Sequence, residues 1–222
     1  MSAARRIVEH MFELSVLRER IREMEGPRVD PRLPVHSALA PLIGGGLAPG
    51  GIYSISPSLT LALGLTATAV SESGWVAAVG FPHVGIEAVA ECGIALDRFV
   101  SIPSPKSHWA TVVGAVCDGF TVVIARVPEG VSPATAARIA AVARRTGAVL
   151  VVLGEWPSAT ARLEVVGVRN LGIADGHGLL LGRDITVRSV TRGITKTGVL
   201  PWPFDRVVEP DIAPVRHLRS VT

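Results

Sequence analysis

From Gly44 to Leu153 short apolar runs alternate with helix-length stretches, and this rhythm restricts the chain to a few folds. Ile52–Ser56, Trp75–Gly80, Arg98–Ile102, Thr121–Ala125 and Ala148–Leu153 read as strands. Leu59–Ser73, Gly85–Cys92, Trp109–Cys117 and Ser132–Thr146 read as the helices between them. The strands are continuous apolar runs without alternation, as strands covered on both faces are. A βαβ order of this kind predicts a doubly wound, mainly parallel sheet. Beyond Leu153 the rhythm changes. Ala161–Val168, Gly178–Leu181 and Ile185–Thr191 read as antiparallel strands joined by glycine-containing turns.

The flanks differ from this core. Over residues 2–25, Ile7, Met11, Leu14, Leu17, Ile21 and Met24 recur at spacings of three and four, an amphipathic helix closed by Gly26-Pro27. Its stripe either packs on its own domain or docks on another chain. Residues 1–26 are therefore read as an arm, 27–36 as a proline-containing linker, 37–198 as the core and 199–222 as a proline-rich tail. From Leu200 the tail shows little helical or strand pattern and is expected to lie along the surface or to be disordered. Its Pro201-Trp202-Pro203-Phe204 run offers two aromatics that either anchor a partner or fold back on the sheet.

Composition excludes several classes. Roughly half the 222 residues are apolar, yet every apolar stretch is broken short of the ~20 residues of a membrane span, so no membrane role is expected. Arg5 and Arg6 are followed by no signal-peptide core, and a cytoplasmic location is expected. Cys92 and Cys117 sit in apolar contexts and read as buried thiols; His83, His108 and His177 lack metal-site spacing. His108-Trp109 and Trp156-Pro157 fall near strand ends, where ligands bind in open sheets, though core or rim packing accounts for them as well.

The first strand–turn–helix, GIYSISPSLTLAL from Gly51, stands where an α/β nucleotide-binding domain carries its phosphate loop. Such a loop needs glycines whose N–H groups wrap phosphate, a lysine, and a hydroxyl for Mg²⁺. Here Ser56-Pro57-Ser58 joins strand to helix without glycine, Pro57 removes a donor, and the only lysines, Lys106 and Lys196, lie far along the chain. The loop is degenerate, and no cofactor, metal or catalytic residue is assigned.

Taken together, the helical arm, the GGGLAPGGIYSI entry, LTLALGLTATAV, ECGIALDRFVSIPSP, ATARLEVVGVRNLG and RDITVRSVTRG resemble the bacterial recombinase RecA over roughly residues 35–195. The short degenerate loop, LGEWP and ADGHG are similar to the actinobacterial ImuA′ family of accessory mutagenesis factors, within the ImuA/SulA group. The resemblance implies a RecA-like core with a C-terminal antiparallel hairpin and an N-terminal helical arm. It also implies carboxylates at two strand ends, but this sequence has Val79-Gly80-Phe81-Pro82-His83 at one and Ala125-Arg126 at the other. An arginine there repels a metal cation.

The expected role is therefore a non-enzymatic adaptor for damage-induced error-prone translesion synthesis. The resemblance implies an inactive Y-family, ImuB-like partner, an indirectly associated C-family polymerase, and a nucleoid association when DNA is damaged. The arm stripe, Trp202 and Phe204 are the expected partner contacts, and the arm also allows self-association. DNA contact is expected to be weak or indirect. The connections matching recombinase DNA loops, Pro128–Val131 and Glu155–Thr160, are short, and Arg138, Arg144 and Arg145 suit a solvated helix face. Arg162, Arg169, Arg183, Arg188 and Arg192 form the better basic surface, without aromatics to stack on bases. Two alternatives stand beside this reading. One is a nucleotide-dependent ATPase with an unconventional loop in which Ser58 and Thr60 meet phosphate; the other is a SulA-like division inhibitor.

Overall fold

The computed structural model describes residues 32–56, 58–70, 74–174 and 177–205. The arm residues Ile7, Met11, Leu14, Leu17, Ile21 and Met24, together with Pro57 and the segment from 206 to 222, lie outside them. A short helix α1 (Ala40–Ile43) leads into β1 (Ile52–Ile55), α2 (Leu59–Thr66), β2 (Val76–Val79), α3 (Ile86–Glu91) and β3 (Phe99–Ile102). Then follow α4 (Trp109–Cys117), β4 (Val122–Arg126), α5 (Pro133–Thr146) and β5 (Val149–Leu153). Three strands close the fold: β6 (Ala161–Ala174), β7 (His177–Thr191) and β8 (Ile194–Trp202).

All eight strands form one sheet in the order β3-β2-β4-β5-β1-β6-β7-β8. The pairs from β3 through β1 to β6 are parallel, and β6–β7 and β7–β8 are antiparallel. The core is the mixed α/β, mainly parallel sheet with a C-terminal antiparallel hairpin that the sequence predicts. The central strands are apolar throughout because both faces are covered. On one face Tyr53, Ile55, Val76, Ala78, Val122, Ile124, Val149 and Val151 pack with α1, α2 and α3. On the other, Ile52, Val123, Ala125, Leu150 and Val152 pack with α4 and α5, where Trp109 and Trp156 lie 6.4 Å apart between ring centroids. Both tryptophans are core residues.

Helix lengths follow local chemistry. Helix α5 starts at Ser132, whose Oγ accepts from Thr135 N–H, continues through Pro133, and stops at Gly147 in the left-handed region (φ 78°). Helix α2 is shorter than the apolar run suggests. It ends at Thr66, and a 3₁₀ turn over Thr68–Val70 follows.

The glycine entry before β1 is a packing device. A Cβ on Gly46 would lie 2.5 Å from the Leu33 carbonyl oxygen, and one on Gly50 2.7 Å from Cα of Arg144 in α5. Tyr53 is buried beside this entry; its hydroxyl accepts from Ala48 N–H at 2.8 Å, and burial pushes its pKa up.

Three expectations are corrected. Gly178–Leu181 and Ile185–Thr191 are one strand, β7, and β6 runs on past Val168 to Ala174. The break read between Leu181 and Ile185 falls on Gly182-Arg183-Asp184, glycine and charge in sequence, yet these residues pair regularly with Leu171, Asn170 and Arg169; the ladder shifts register farther out, between Leu171 and Ile173. The tail is not loose from Leu200 onward: Leu200 is fully buried in β8, and Trp202 and Phe204 pack against the core. At the other flank, Val35 from the expected linker is buried and Leu33 bridges Leu47.

Candidate functional site

The β1–α2 turn is the position to test for phosphate chemistry, and its serines are already engaged. Ser58 Oγ accepts from Leu61 N–H at 3.3 Å and its carbonyl from Ala62 N–H at 3.2 Å, so it caps α2 itself. Ser56 Oγ accepts from Val165 N–H at 3.3 Å, and Ser56 N–H donates to Leu163 O at 2.9 Å, which ties the turn to β6. Lys106 stands in a 3₁₀ turn after β3, and Lys196 in β8 donates to the Pro41 carbonyl. Neither reaches the turn.

The strand ends carry no acid where metal chemistry would want one. Beyond β2, Gly80 and buried Phe81 follow Val79. At the end of β4, the Arg126 guanidinium carbon lies 5.2 Å from the Phe81 ring centroid. That cation–π contact fills the space with a positive charge. No cluster of three His, Cys, Asp or Glu suited to a metal occurs among the described residues. His83 and His108 are exposed and separate.

A cleft of about 650 Å³ lies beside the turn, lined by Ser54, Ser56, Glu155, Arg162, Glu164 and Arg188 among others. Its polar groups are largely spoken for. Ser54 Oγ donates to Gly154 O at 2.8 Å, Arg162 to Trp156 O at 3.2 Å, and Arg188 pairs with Glu164.

The arginines of the hairpin are placed as follows. Arg169 forms an ion pair with buried Asp184 at 2.6 Å, and Arg183 lies over Trp202, 5.6 Å from its ring centroid. Arg192 occupies the β7–β8 turn with φ 49°. The structure brings Arg162, Arg169 and Arg188 to one face of the hairpin, but two of the three face carboxylates. Sequence reading missed those partners, because Glu164 and Asp184 meet Arg188 and Arg169 only through the β6–β7 register. The two loops at the carboxyl ends of β4 and β5 carry exposed Glu129 and Glu155. In α5 Arg145 pairs with Asp118 at 3.1 Å, and Arg138 and Arg144 are exposed.

With this geometry in hand, comparisons place the chain among known proteins. The family model described as the MT3502 N-terminal domain matches residues 40–158, from α1 to the loop after β5. The chain belongs to that family. The chain is 32% identical over 119 residues to the uncharacterized protein Rv3395c of Mycobacterium tuberculosis. The match spans 53% of this chain and 58% of that relative, little more than half of either. The crystal structure of the RadB recombinase aligns with a TM-score of 0.50 at 17% identity, covering 74% of this chain and 93% of that one. The fold is RecA-like. The family's matched region ends before β6, so the hairpin with its arginines lies outside it.

Proposed function

We propose that this chain is a non-catalytic RecA-like accessory protein that works by binding other proteins. The observation that carries this reading is the β1–α2 turn, where Ser58 caps its own helix and no lysine reaches the position. The arginine at the end of β4, turned onto Phe81, supports the same reading. The similarity to the ImuA′ family extends it: the partner is an ImuB-like inactive Y-family protein, and through it a C-family polymerase in damage-induced translesion synthesis. In that role the chain acts in the cytoplasm and at the damaged nucleoid. The Ile7–Met24 stripe is the arm's contact surface in this proposal. Trp202 and Phe204 contribute through whatever part of their rings the core leaves open.

Co-purification with an ImuB-like protein, read by size-exclusion chromatography with light scattering, tests the reading. A complex of defined stoichiometry that Leu17→Asp abolishes without lowering Tm supports it. The chain eluting alone overturns the partner assignment. A labelled ATP analogue with and without Mg²⁺ tests the other half. No binding at millimolar ligand is expected. Binding that Ser58→Ala and Thr60→Ala remove would favour a nucleotide-dependent protein instead, and filamentation on overexpression without any effect on mutagenesis would favour a division inhibitor.

A further inference from the structure

The sheet ends on one side in a long strand whose outer edge has no partner among the described residues. Strand β8 is the terminal strand of the order and runs nine residues, Ile194–Trp202. Its register on β7 closes at Thr191 and Ile194 across the two-residue turn Arg192-Gly193, where both residues have positive φ (49° and 80°). This hairpin geometry makes Thr191 and Ile194 a hydrogen-bonded pair. Alternation along the ladder then turns the backbone N–H and C=O groups of Thr195, Thr197 and Val199 outward, away from β7. Pro201 has the same parity, so its missing N–H also faces outward, as a proline in an edge strand must.

Open edges are ordinarily guarded by charge, a bulge or a covering element. Proline guards edges as well, and Pro201 guards the far end of β8; along Thr195–Val199 none of these guards acts among the described residues. The only charged residue of β8 is Lys196, and its ammonium is drawn onto the Pro41 carbonyl at 2.9 Å, over the helix-covered face. Ile194 is 63% exposed and Val199 39%. The β7–β8 ladder runs without a register shift.

We propose that this edge pairs with the same edge of a second copy, with β8 antiparallel to β8 about a two-fold axis at Thr197. The strand's own pattern selects both the occupant and the register. Centred on Thr197, Thr195 of each copy stands opposite Val199 of the other, so every outward N–H of Thr195, Thr197 and Val199 finds a carbonyl. Pro201 then falls opposite Gly193 of the turn, beyond the ladder, where its lack of a donor costs nothing. A two-fold at Val199 would set Pro201 opposite Thr197 and lose bonds on both sides. On the helix-covered face the Thr197 register sets Lys196 opposite Gly198, so the two cations do not confront each other. A self-complementary edge of this kind is an isologous interface, and it continues the eight-stranded sheet into a second subunit. The proposal stands apart from the adaptor reading, since it uses neither the arm nor the nucleotide position.

Light scattering on the full chain at micromolar concentration tests it. The expected mass is twice the 23.3 kDa of one chain. Thr197→Lys places like charges on the two-fold and is expected to weaken the dimer at least tenfold, giving the single-chain mass with an unchanged circular dichroism spectrum and a Tm that no longer rises with protein concentration as that of the native chain does. Thr197→Cys is expected to cross-link under mild oxidant and separate again with a thiol reductant. A hydrogen-bonded antiparallel pair sets its Cα atoms about 5.5 Å apart, within disulfide reach. Val168→Cys, exposed on β6, serves as the control that does not cross-link. A monomeric native chain overturns the proposal. So does a dimer that survives Thr197→Lys and leaves Thr197→Cys uncross-linked, which would place self-association on another surface.

Discussion

At Gly64 in α2 the absence of a side chain admits the Phe204 ring. A Cβ built there would lie 2.6 Å from its edge. Gly64→Ala is expected to raise the helix propensity of α2 yet destabilise the protein by about 1–3 kcal/mol, because the ring must leave its seat. A lowered Tm in calorimetry checks it, and Phe204→Ala in the same background should cancel most of the difference between Gly and Ala. The two thiols make a second residue-level case. Burial first, then Glu91 beside Cys92 and Asp118 beside Cys117, push each pKa from 9.0 up to about 11. The unfolded chain therefore loses these protons first as pH rises. Stability is expected to be flat below pH 9 and to fall between pH 9 and 11, by up to about 1.4 kcal/mol per pH unit for each thiol. Buried Tyr53 adds the same sign above pH 10. Urea unfolding at a series of pH values reads the slope, and Cys92→Ala with Cys117→Ala should reduce it.

Among the elements, legibility in the sequence followed burial. Strands β1, β2, β4 and β5 could be placed within a residue or two because both faces demand apolar side chains, the half-buried edge strand β3 was placed as closely, and α4 was legible to the residue. Helix α5 could be read from Ser132, Pro133 and Gly147, and Ser132→Ala is expected to cost about 1 kcal/mol in chemical denaturation by freeing the Thr135 N–H. The antiparallel strands were harder. In β7 the Gly182-Arg183-Asp184 stretch reads as a turn, yet it pairs regularly with Leu171, Asn170 and Arg169, and Asp184 is buried against Arg169. Strand β8 went unread because Thr195-Lys196-Thr197-Gly198 is polar and prolines follow, although one of its faces is sealed by α1 through Leu42 and Gly198. An element buried on one face and open at its edge carries half the signal of a central strand.

For the molecule as a whole, charge pairing decides what the basic hairpin can do. A net charge of +3 and five arginines near the hairpin suggest a phosphate-binding surface, but ion pairs with Glu164 and Asp184 neutralise two of them. Fluorescence anisotropy with single-stranded DNA at physiological salt is expected to show no saturable binding. Glu164→Gln, which releases Arg188, is expected to produce weak binding at low salt with a steeper salt dependence. That the β1–α2 turn has neither glycine nor lysine was legible from the sequence, whereas the stacking of Arg126 on Phe81 was not, since it joins the ends of two different strands. One further contact closes the molecule on itself. His36 Nδ1 accepts from Ala38 N–H, which leaves Nε2–H to donate to the Phe204 carbonyl at 2.9 Å. The two extremities of the core are thus stitched side by side, 168 residues apart in sequence. For an engineer, such a seam means the chain order is negotiable: residues 32 and 205 can be joined by a short linker and new termini opened at the Glu129-Gly130 turn, giving a circular permutant with the same sheet.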